Sequence, residues 1–298
     1  MADMADMVAT WTSDPSSDGL RRELNGLDRL DSELPRRPTA LRNVFLAVWP
    51  KVAAIVIAVF VWQVVVWTGW KPAYLLPGPF TVFRAIGTDH HALLHGAATT
   101  LGRAFEGYLV ALAIGTVVAV AITQVKVLRT AVSPLITGAQ TMPSVAWVPM
   151  AILLFGLKTS AIVFVTVVGS APALAIGTIA GIDAVPPILH RAGRVLGARG
   201  FARYRHIVLP GALPGYVTGM KQGWAFAWRS VMAGELIAQI QGHPALGTLL
   251  SNYQEQSLAP DMYGVLVAVL VIGLVLDGLV FSQLESMVLR RRGLVESF

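Results

Sequence analysis

The sequence contains no cysteine and few charged residues. Because none of its 298 residues is cysteine, disulfide bonds and thiolate metal sites are excluded. Only 13% of the residues are charged, whereas an average soluble domain carries about 25%. Hydrophobic residues make up 55% of the chain, and the mean hydropathy is +0.63. A chain of this composition must cover its apolar surface with lipid, and it is long enough for about six membrane spans.

Sequence motifs of several enzyme classes are also absent. There is no Gly-Lys-Ser or Gly-Lys-Thr, which a P-loop uses to bind nucleotide phosphates, and no His-Glu-x-x-His zinc helix. There is no Gly-x-Ser-x-Gly nucleophile elbow. His90, His91 and His95 fall in a loop with only Asp89 beside them, so we expect no metal site. We therefore predict no catalytic residue and no bound cofactor, which disfavours an intramembrane enzyme.

Long apolar segments predict an all-α polytopic membrane protein with six transmembrane helices. The approximate spans are residues 44–67, 99–124, 131–155, 160–181, 216–240 and 263–289. Pro134, Pro143 and Pro149 interrupt the third span, so we expect a broken helix there. Residues 1–40 are polar and predict a tail with one short amphipathic helix, whereas residues 41–298 predict a single transmembrane domain.

The distribution of lysine and arginine predicts the orientation of the spans. Seventeen of these residues fall on one side of the membrane near the span ends, and only Lys71, Arg84 and Lys158 fall on the other. Since basic residues collect on the cytoplasmic side, we expect both termini and the loop at 185–210 to be cytosolic. The net charge of +6 fits contact with anionic lipid headgroups, so we expect membrane lipid and no nucleic acid as a partner.

Residues 185–210 are the most informative segment of the sequence. Pro187 suits the first turn of a helix, and the apolar positions that follow have helical spacing. Gly197 suits a left-handed helix end, and residues 198–208 predict a second short helix. Two short helices hinged at a glycine are better suited to transfer force to a soluble partner than to catalyse a reaction. The alternative is a solvated basic loop.

The spacing within this segment resembles a known family. Residues 191–193 read Arg-Ala-Gly, Gly197 follows after three residues, and residues 207–210 read Ile-Val-Leu-Pro after nine more. This resembles the glutamate-alanine-alanine loop of bacterial ABC importer permeases, with the order Glu-Ala-Ala, three residues, Gly, nine residues, Ile, one residue, Leu-Pro. Arg191 stands in place of the glutamate and Gly193 in place of the second alanine.

Other stretches resemble the subgroup of these permeases that serves sulfonate, taurine and nitrate uptake. They are Leu-Pro-Gly-Pro at 76–79, Thr-Leu-Gly-Arg at 100–103, Met-Pro through Trp-Val-Pro at 142–149, Phe-Gly at 155–156, and Ala-Trp through Glu at 227–235. The resemblance extends over about residues 45–292 and implies the type I ABC importer permease fold.

The resemblance also implies partners and a mechanism. It implies a homodimer in the bacterial inner membrane, two cytosolic ABC ATPase subunits that bind ATP and Mg, and an extracytoplasmic solute-binding protein. The solute would be a small anion, with an aliphatic sulfonate first and taurine, nitrate or another small solute as alternatives. A stand-alone secondary transporter is the main rival. The residues expected to couple to the ATPase are Arg191, Ala192, Gly193, Gly197, Ala198, Ile207, Leu209 and Pro210.

Polar and aromatic residues in two spans suggest a solute path. In the fifth span, Lys221, Trp228 and Glu235 recur every seven residues and form one stripe. Arg229 lies about 120° from Glu235 around the helix, so a direct salt bridge between them is not expected. The alternative role for the stripe is packing between helices. The residues predicted for the path are Ser144, Trp147, Trp224, Trp228, Arg229, Glu235 and Gln239.

Overall fold

A computed structural model describes residues 40–240 and 242–291, and every regular element in these ranges is helical. The first helices are α1 (Ala40–Trp67), α2 (Pro79–Thr88), α3 (His90–Gln124), α4 (Lys126–Thr141), α5 (Val148–Phe155) and α6 (Thr159–Asp183). The later ones are α7 (Pro187–Val195), α8 (Gly200–Arg203), α9 (Leu209–Ile237), α10 (Leu246–Glu255), α11 (Ala259–Leu276) and α12 (Ser282–Arg291). The predicted tail helix lies outside the described residues.

Helices α3, α6 and α9 form the core of the compact unit that begins at Trp62. Glycines bring α6 and α9 into backbone contact. A Cβ atom added to Gly177 would lie 2.3 Å from the Cα of Gly219, and one added to Gly215 would lie 2.4 Å from the Cα of Gly181. Small residues at such positions let membrane helices approach closely. The close packing of α6 against α9 therefore depends on glycine, which has no side chain, at these positions.

Four described helices are long and apolar enough to cross a membrane. These spans are Trp49–Trp67, His90–Gln124, Thr159–Asp183 and Ala259–Arg290. The predicted break in the third span is present, because helices over Val127–Thr141 and Ser144–Phe155 meet at an angle of 100°. This bent pair is either a fifth span or a re-entrant loop.

The predicted count of six spans is not confirmed. Helix α9 has 29 residues, enough to cross a membrane, but it carries Lys221, Arg229 and Glu235 and is too polar to qualify by composition. Lys221 and Glu235 have charged partners within the protein, which compensate two of these three charges.

Two short helices were not predicted. Helix α2 begins at Pro79, directly after Gly78, and α10 begins after Ala245. The predicted loop that contains His90, His91 and His95 is instead the start of α3. Proline in the first helical turn is a known start signal, so Pro79 was a usable indication of α2. No group of metal-binding side chains occurs among the described residues, which include these histidines.

Candidate coupling segment and solute path

Gly197 ends helix α7 in the way that the sequence suggested. Its φ angle is +80°, a conformation that glycine adopts without steric cost. The Ala198 amide donates to the Gly193 carbonyl at 2.8 Å, and the Gly197 amide donates to the Arg194 carbonyl at 3.1 Å. These two bonds form a Schellman motif, which satisfies the last carbonyls of the helix. The hinge between the two short helices is thus a defined turn.

Gly193 permits close packing of α7 against the second half of the segment. It is buried, and a Cβ atom at this position would lie 1.9 Å from the Cδ1 atom of Ile207. Ile207 belongs to a π-helical turn over Tyr204–Val208 that leads into α9. Glycine in place of the family's alanine therefore leaves room for the Ile207 side chain.

Three of the remaining predicted coupling residues, Ala192, Ala198 and Pro210, line a small groove of about 440 Å³. The groove is lined by Leu189, Ala192, Gly193, Leu196, Ala198, His206, Ile207, Pro210 and Gly211. Leu209 is more than half exposed at the start of α9, and Arg191 is exposed on α7. The structure thus places Ala192, Gly193, Ala198, Ile207 and Pro210 around one cavity, with Gly197 at the turn beside it.

The arginines of this segment are exposed. They are Arg191, Arg194, Arg199, Arg203 and Arg205. None forms an ion pair with an acidic side chain in the part of the chain that the structure describes. Arg203 lies 3.4 Å from Nδ1 of His190. The segment therefore presents uncompensated positive charge.

The aromatic stripe of α9 packs inside the subunit. Trp224 is 2% exposed and contacts the rings of Phe105, Tyr108 and Phe281. Trp228 is 9% exposed, and its ring centroid lies 6.4 Å from that of Trp224. In this conformation both indoles hold α9 against its neighbours, as expected from the alternative role of helix packing. Whether they line a solute path stays a prediction.

Glu235 is the acceptor of a buried polar network. The Arg103 guanidinium donates to its Oε1 at 3.0 Å, and the Thr100 hydroxyl donates to its Oε2 at 2.8 Å. The Gly247 amide, in the first turn of α10, donates to the same Oε2 at 3.3 Å. Glu235 is 0% exposed and Arg103 is 5% exposed. Protein groups therefore compensate each charge, and the network joins α3, α9 and α10.

Sequence reasoning missed the pairing of Arg103 with Glu235, although both residues stood in stretches that resembled the permease subgroup. The available signal was one cation and one anion in two different predicted spans. Charged groups in spans are expected to face protein or water, and often each other.

Further polar contacts fix α10. The Gln239 amide donates to Ser251 at 2.8 Å and to Glu255 at 3.1 Å. The Tyr253 hydroxyl donates to Asp89, and burial together with this bond raises the pKa of Tyr253 above its ordinary value. Gln239, a predicted path residue, therefore binds α10 in this conformation.

Lys221 is paired at the other end of the stripe. Its ammonium lies 3.5 Å from Asp277 and 3.6 Å from Glu285, and it donates to the Ser282 hydroxyl at 3.2 Å. Asp277 begins a π-helical turn, Asp277–Phe281, that joins α11 to α12. This turn also places Phe281 against Trp224. The last helix is therefore fixed to α9 by both charge and aromatic contact.

Arg229 differs from the other predicted path residues of α9, because it is exposed and has no carboxylate partner among the described residues. Its Nε donates to the Ala225 carbonyl at 3.1 Å, and its guanidinium lies 4.9 Å from the centre of the Phe226 ring. It forms no bond with Glu235, as expected from their angular separation. Among the residues that the structure describes, no hydrogen-bond acceptor binds its two terminal guanidinium nitrogens.

The two path residues from the broken helix lie at different places. Ser144 is close to α6, since a Cβ atom added to Gly169 would lie 3.4 Å from its Cβ. Trp147 lines a largely apolar groove of about 850 Å³ between α3, α4, α5 and α6. The residues that line this groove include neither Ser144 nor Arg229.

A comparison with protein families identifies the chain. Residues 94–291 match the family described as binding-protein-dependent transport system inner membrane component. The chain belongs to this family. The match includes most of α3 and all of the helices from α4 to α12, and so contains the coupling segment, the buried Arg103–Glu235 pair and Arg229.

Individual permeases are also similar over most of their lengths. An ABC transporter permease protein of Methanocaldococcus jannaschii is 27% identical over 62% of this chain and 69% of its own. The taurine transport system permease protein of Escherichia coli is 28% identical over 75% of this chain and 85% of its own. The bicarbonate transport system permease protein of Synechococcus elongatus is 26% identical over 80% of this chain and 88% of its own. These relatives are permease subunits.

Solved structures share the fold. The inward-facing MetNI methionine ABC transporter contains a chain that matches with a TM-score of 0.57 and 24% identity, over 67% of this chain and 98% of that one. The likeness shows that the helices are arranged as in an ABC importer permease, in agreement with the predicted fold class.

Proposed function

We propose that this permease is the transmembrane subunit of an ATP-driven importer for a small anion, with an aliphatic sulfonate as the first candidate. The observation that carries the proposal is the coupling segment. Two short helices joined by a Schellman turn present exposed arginines and exposed apolar side chains, and they lead directly into α9. Movement of this segment would therefore act on the helix that carries Arg229 and Glu235.

The proposed assembly contains two copies of this chain, two cytosolic ATPase subunits and an extracytoplasmic solute-binding protein. The absence of a phosphate-binding loop from the sequence supports a separate chain as the site of ATP and Mg binding. The excess of basic residues near one set of span ends supports cytosolic termini and a cytosolic coupling segment, and the family description supports an inner-membrane location.

The anionic solute is supported by charge on α9. Arg229 is an exposed cation within a helix long enough to span the membrane, and it has donors free for a ligand. The similarity to permeases named for taurine and bicarbonate transport agrees with a small, charged solute. Taurine, nitrate and other small solutes are the alternatives to an alkanesulfonate.

Uptake of labelled solutes tests the proposal. A strain that lacks the gene should lose uptake of an alkanesulfonate while it retains uptake of an unrelated amino acid. Taurine and nitrate are measured in parallel, and a selective loss of either would replace the sulfonate. Uptake that survives ATP depletion but stops when the ion gradient is collapsed would indicate a secondary transporter instead.

A further inference from the structure

The groove of about 850 Å³ between α3, α4, α5 and α6 contains a single carboxylate in a mostly apolar lining. This carboxylate belongs to Glu106 on α3, and no lysine, arginine or histidine is among the described residues that line the groove. Glu106 is exposed and forms no hydrogen bond or ion pair with another described residue. We call this cavity the Glu106 groove.

Close contacts fix the relative direction of α3 and α6 along the groove. A Cβ atom added to Gly107 would lie 2.7 Å from the Cβ of Thr166, and one added to Gly115 would lie 2.8 Å from the Cβ of Leu174. Since the second contact comes eight residues after the first in both helices, α3 and α6 run parallel and in register. They therefore form two long walls that follow the same direction.

Polar and apolar lining residues are separated along these walls. Thr159 and Ser160 line the groove at the first turn of α6, on the same side as Glu106. The α3 residues that line the groove after Glu106, as far as Val118, have no polar side chain. The rise from Glu106 to Val118 is about 18 Å along a helix. One leaflet of a bilayer contributes about 15 Å of hydrocarbon. The groove therefore matches one leaflet in length, with polar groups at one end.

The surroundings of the groove favour a lipid as its occupant. Helices α3 and α6 are apolar enough to cross a membrane, so acyl chains are the solvent of their outer surfaces. A spanning helix of a second copy would need a groove of about 30 Å, which is longer than this one. The proposed anionic solute would be repelled by Glu106, so the groove is not suited to that solute.

The carboxylate specifies the kind of lipid. A charge at the edge of the hydrocarbon is costly unless it has a partner. Because the described lining contains no cation, the occupant must supply one. An ammonium group that still carries hydrogen atoms can both neutralise Glu106 and donate a charge-assisted hydrogen bond to it. Lipids with a primary ammonium headgroup combine this cation with an acyl chain.

We propose that the Glu106 groove binds an acyl chain of an aminophospholipid, whose ammonium group donates to the Glu106 carboxylate. Thr159 and Ser160 supply hydroxyl donors for the lipid phosphate. Lys158, the preceding residue, is exposed, has no carboxylate partner among the described residues and supplies a cation beside them. The distribution of basic residues along the sequence predicts that the lipid belongs to the extracytoplasmic leaflet. The site does not depend on the identity of the transported solute.

Native mass spectrometry of the purified full-length permease tests the headgroup preference. The protein is titrated separately with phosphatidylethanolamine, phosphatidylcholine and phosphatidylglycerol of equal chain length. The Kd of the first bound lipid should be at least about threefold lower for phosphatidylethanolamine than for phosphatidylcholine, whose ammonium has no hydrogen to donate. It should be at least about tenfold lower than for anionic phosphatidylglycerol.

Two variants assign this preference to the groove. Glu106→Gln keeps the size of the side chain but removes its charge, so it should abolish both preferences. Glu255→Gln is the matched control, because it removes the same charge from an exposed residue of α10 outside the groove. It should keep both preferences. Absence of a preference in the wild type, its survival in Glu106→Gln, or equal loss in the two variants would overturn the inference.

Photocrosslinking identifies the occupant of the apolar part of the groove. Ile114, which lines this part and is 46% exposed, is replaced by p-benzoylphenylalanine. Irradiation in proteoliposomes that contain phosphatidylethanolamine should add the mass of one phospholipid to the chain. A crosslinked dimer of the permease without a lipid adduct would identify a second copy as the occupant and overturn the inference.

Discussion

Arg103 on α3 and Glu235 on α9 form an ion pair whose two side chains are almost completely shielded from solvent. Thr100 and the Gly247 amide supply the further hydrogen bonds that a buried carboxylate needs. A buried pair of this kind is costly to break from one side, because the remaining charge has neither a partner nor water. The network therefore makes α3, α9 and the first turn of α10 mechanically dependent on each other.

Replacement of Arg103 by Met should strongly destabilise the protein. We expect a loss of about 3–5 kcal/mol in the free energy of unfolding, because Glu235 would remain buried without its cation. Arg129→Gln is the control, since the Arg129–Asp183 pair is about half exposed and such pairs contribute only about 0–1 kcal/mol. Unfolding of the purified variants in nanodiscs measures both. Equal stability of Arg103→Met and wild type would contradict the assigned network.

A single methyl group at Gly177 should disturb the contact of α6 with α9. Its Cβ would overlap the Gly219 backbone, which cannot rotate away, so we expect destabilisation of at least about 1–3 kcal/mol. Gly102→Ala in α3 is the matched control, because nothing lies within 4 Å of the added Cβ atom. That control should gain about 1 kcal/mol of helix propensity. The midpoint of thermal denaturation should therefore fall in Gly177→Ala and rise in Gly102→Ala. A shift in the same direction in both variants would argue against the close contact of α6 with α9.

Gly197→Val should leave the protein inserted but weaken coupling. A β-branched residue at a φ of +80° costs about 1–2 kcal/mol and would open the Schellman turn. Solute-stimulated ATP hydrolysis should fall, while the amount of permease in the membrane stays at the wild-type level. Asn tolerates this backbone conformation, so Gly197→Asn should retain most of the activity. Full stimulated hydrolysis in the valine variant would show that the turn has no coupling role.

Arg229→Gln should lower transport of the anion without lowering the amount of protein. Loss of one charge-assisted hydrogen bond should raise the apparent KM by about tenfold or more. Arg229→Lys keeps the positive charge and should have a smaller effect. Transport and immunoblots of the membrane fraction are measured together. A parallel fall in protein level would assign Arg229 to folding instead.

The sequence predicted the parts of this protein that depend on local rules. The Gly197 turn follows from the need for positive φ, and the break after Thr141 follows from Pro143. The fold class follows from composition and from a motif spacing that residues 191–210 carry in full. Apart from composition, each of these signals lies within one continuous segment of the chain.

The parts that escaped prediction depend on contacts between distant segments. Thr100 and Arg103 lie more than 130 residues from Glu235, and a single sequence does not specify which polar residues of one span contact which residues of another. For the same reason the sequence left open whether the stripe of α9 lines a path or packs between helices. In this conformation Trp224 and Trp228 are enclosed by residues of other helices. The three charged residues of α9 lower its mean hydropathy, so its composition does not identify it as a membrane span. Two of them, Lys221 and Glu235, are paired inside the protein.

Reconstitution tests the central claim most directly. The permease is placed in proteoliposomes with the neighbouring ATPase enclosed in the lumen, and the solute-binding protein with a labelled alkanesulfonate is added outside. We expect ATP hydrolysis in the lumen to be stimulated by the loaded binding protein and to drive accumulation of the label. Both should fail in Gly197→Val vesicles. Accumulation that needs an ion gradient and proceeds without ATPase would contradict the account.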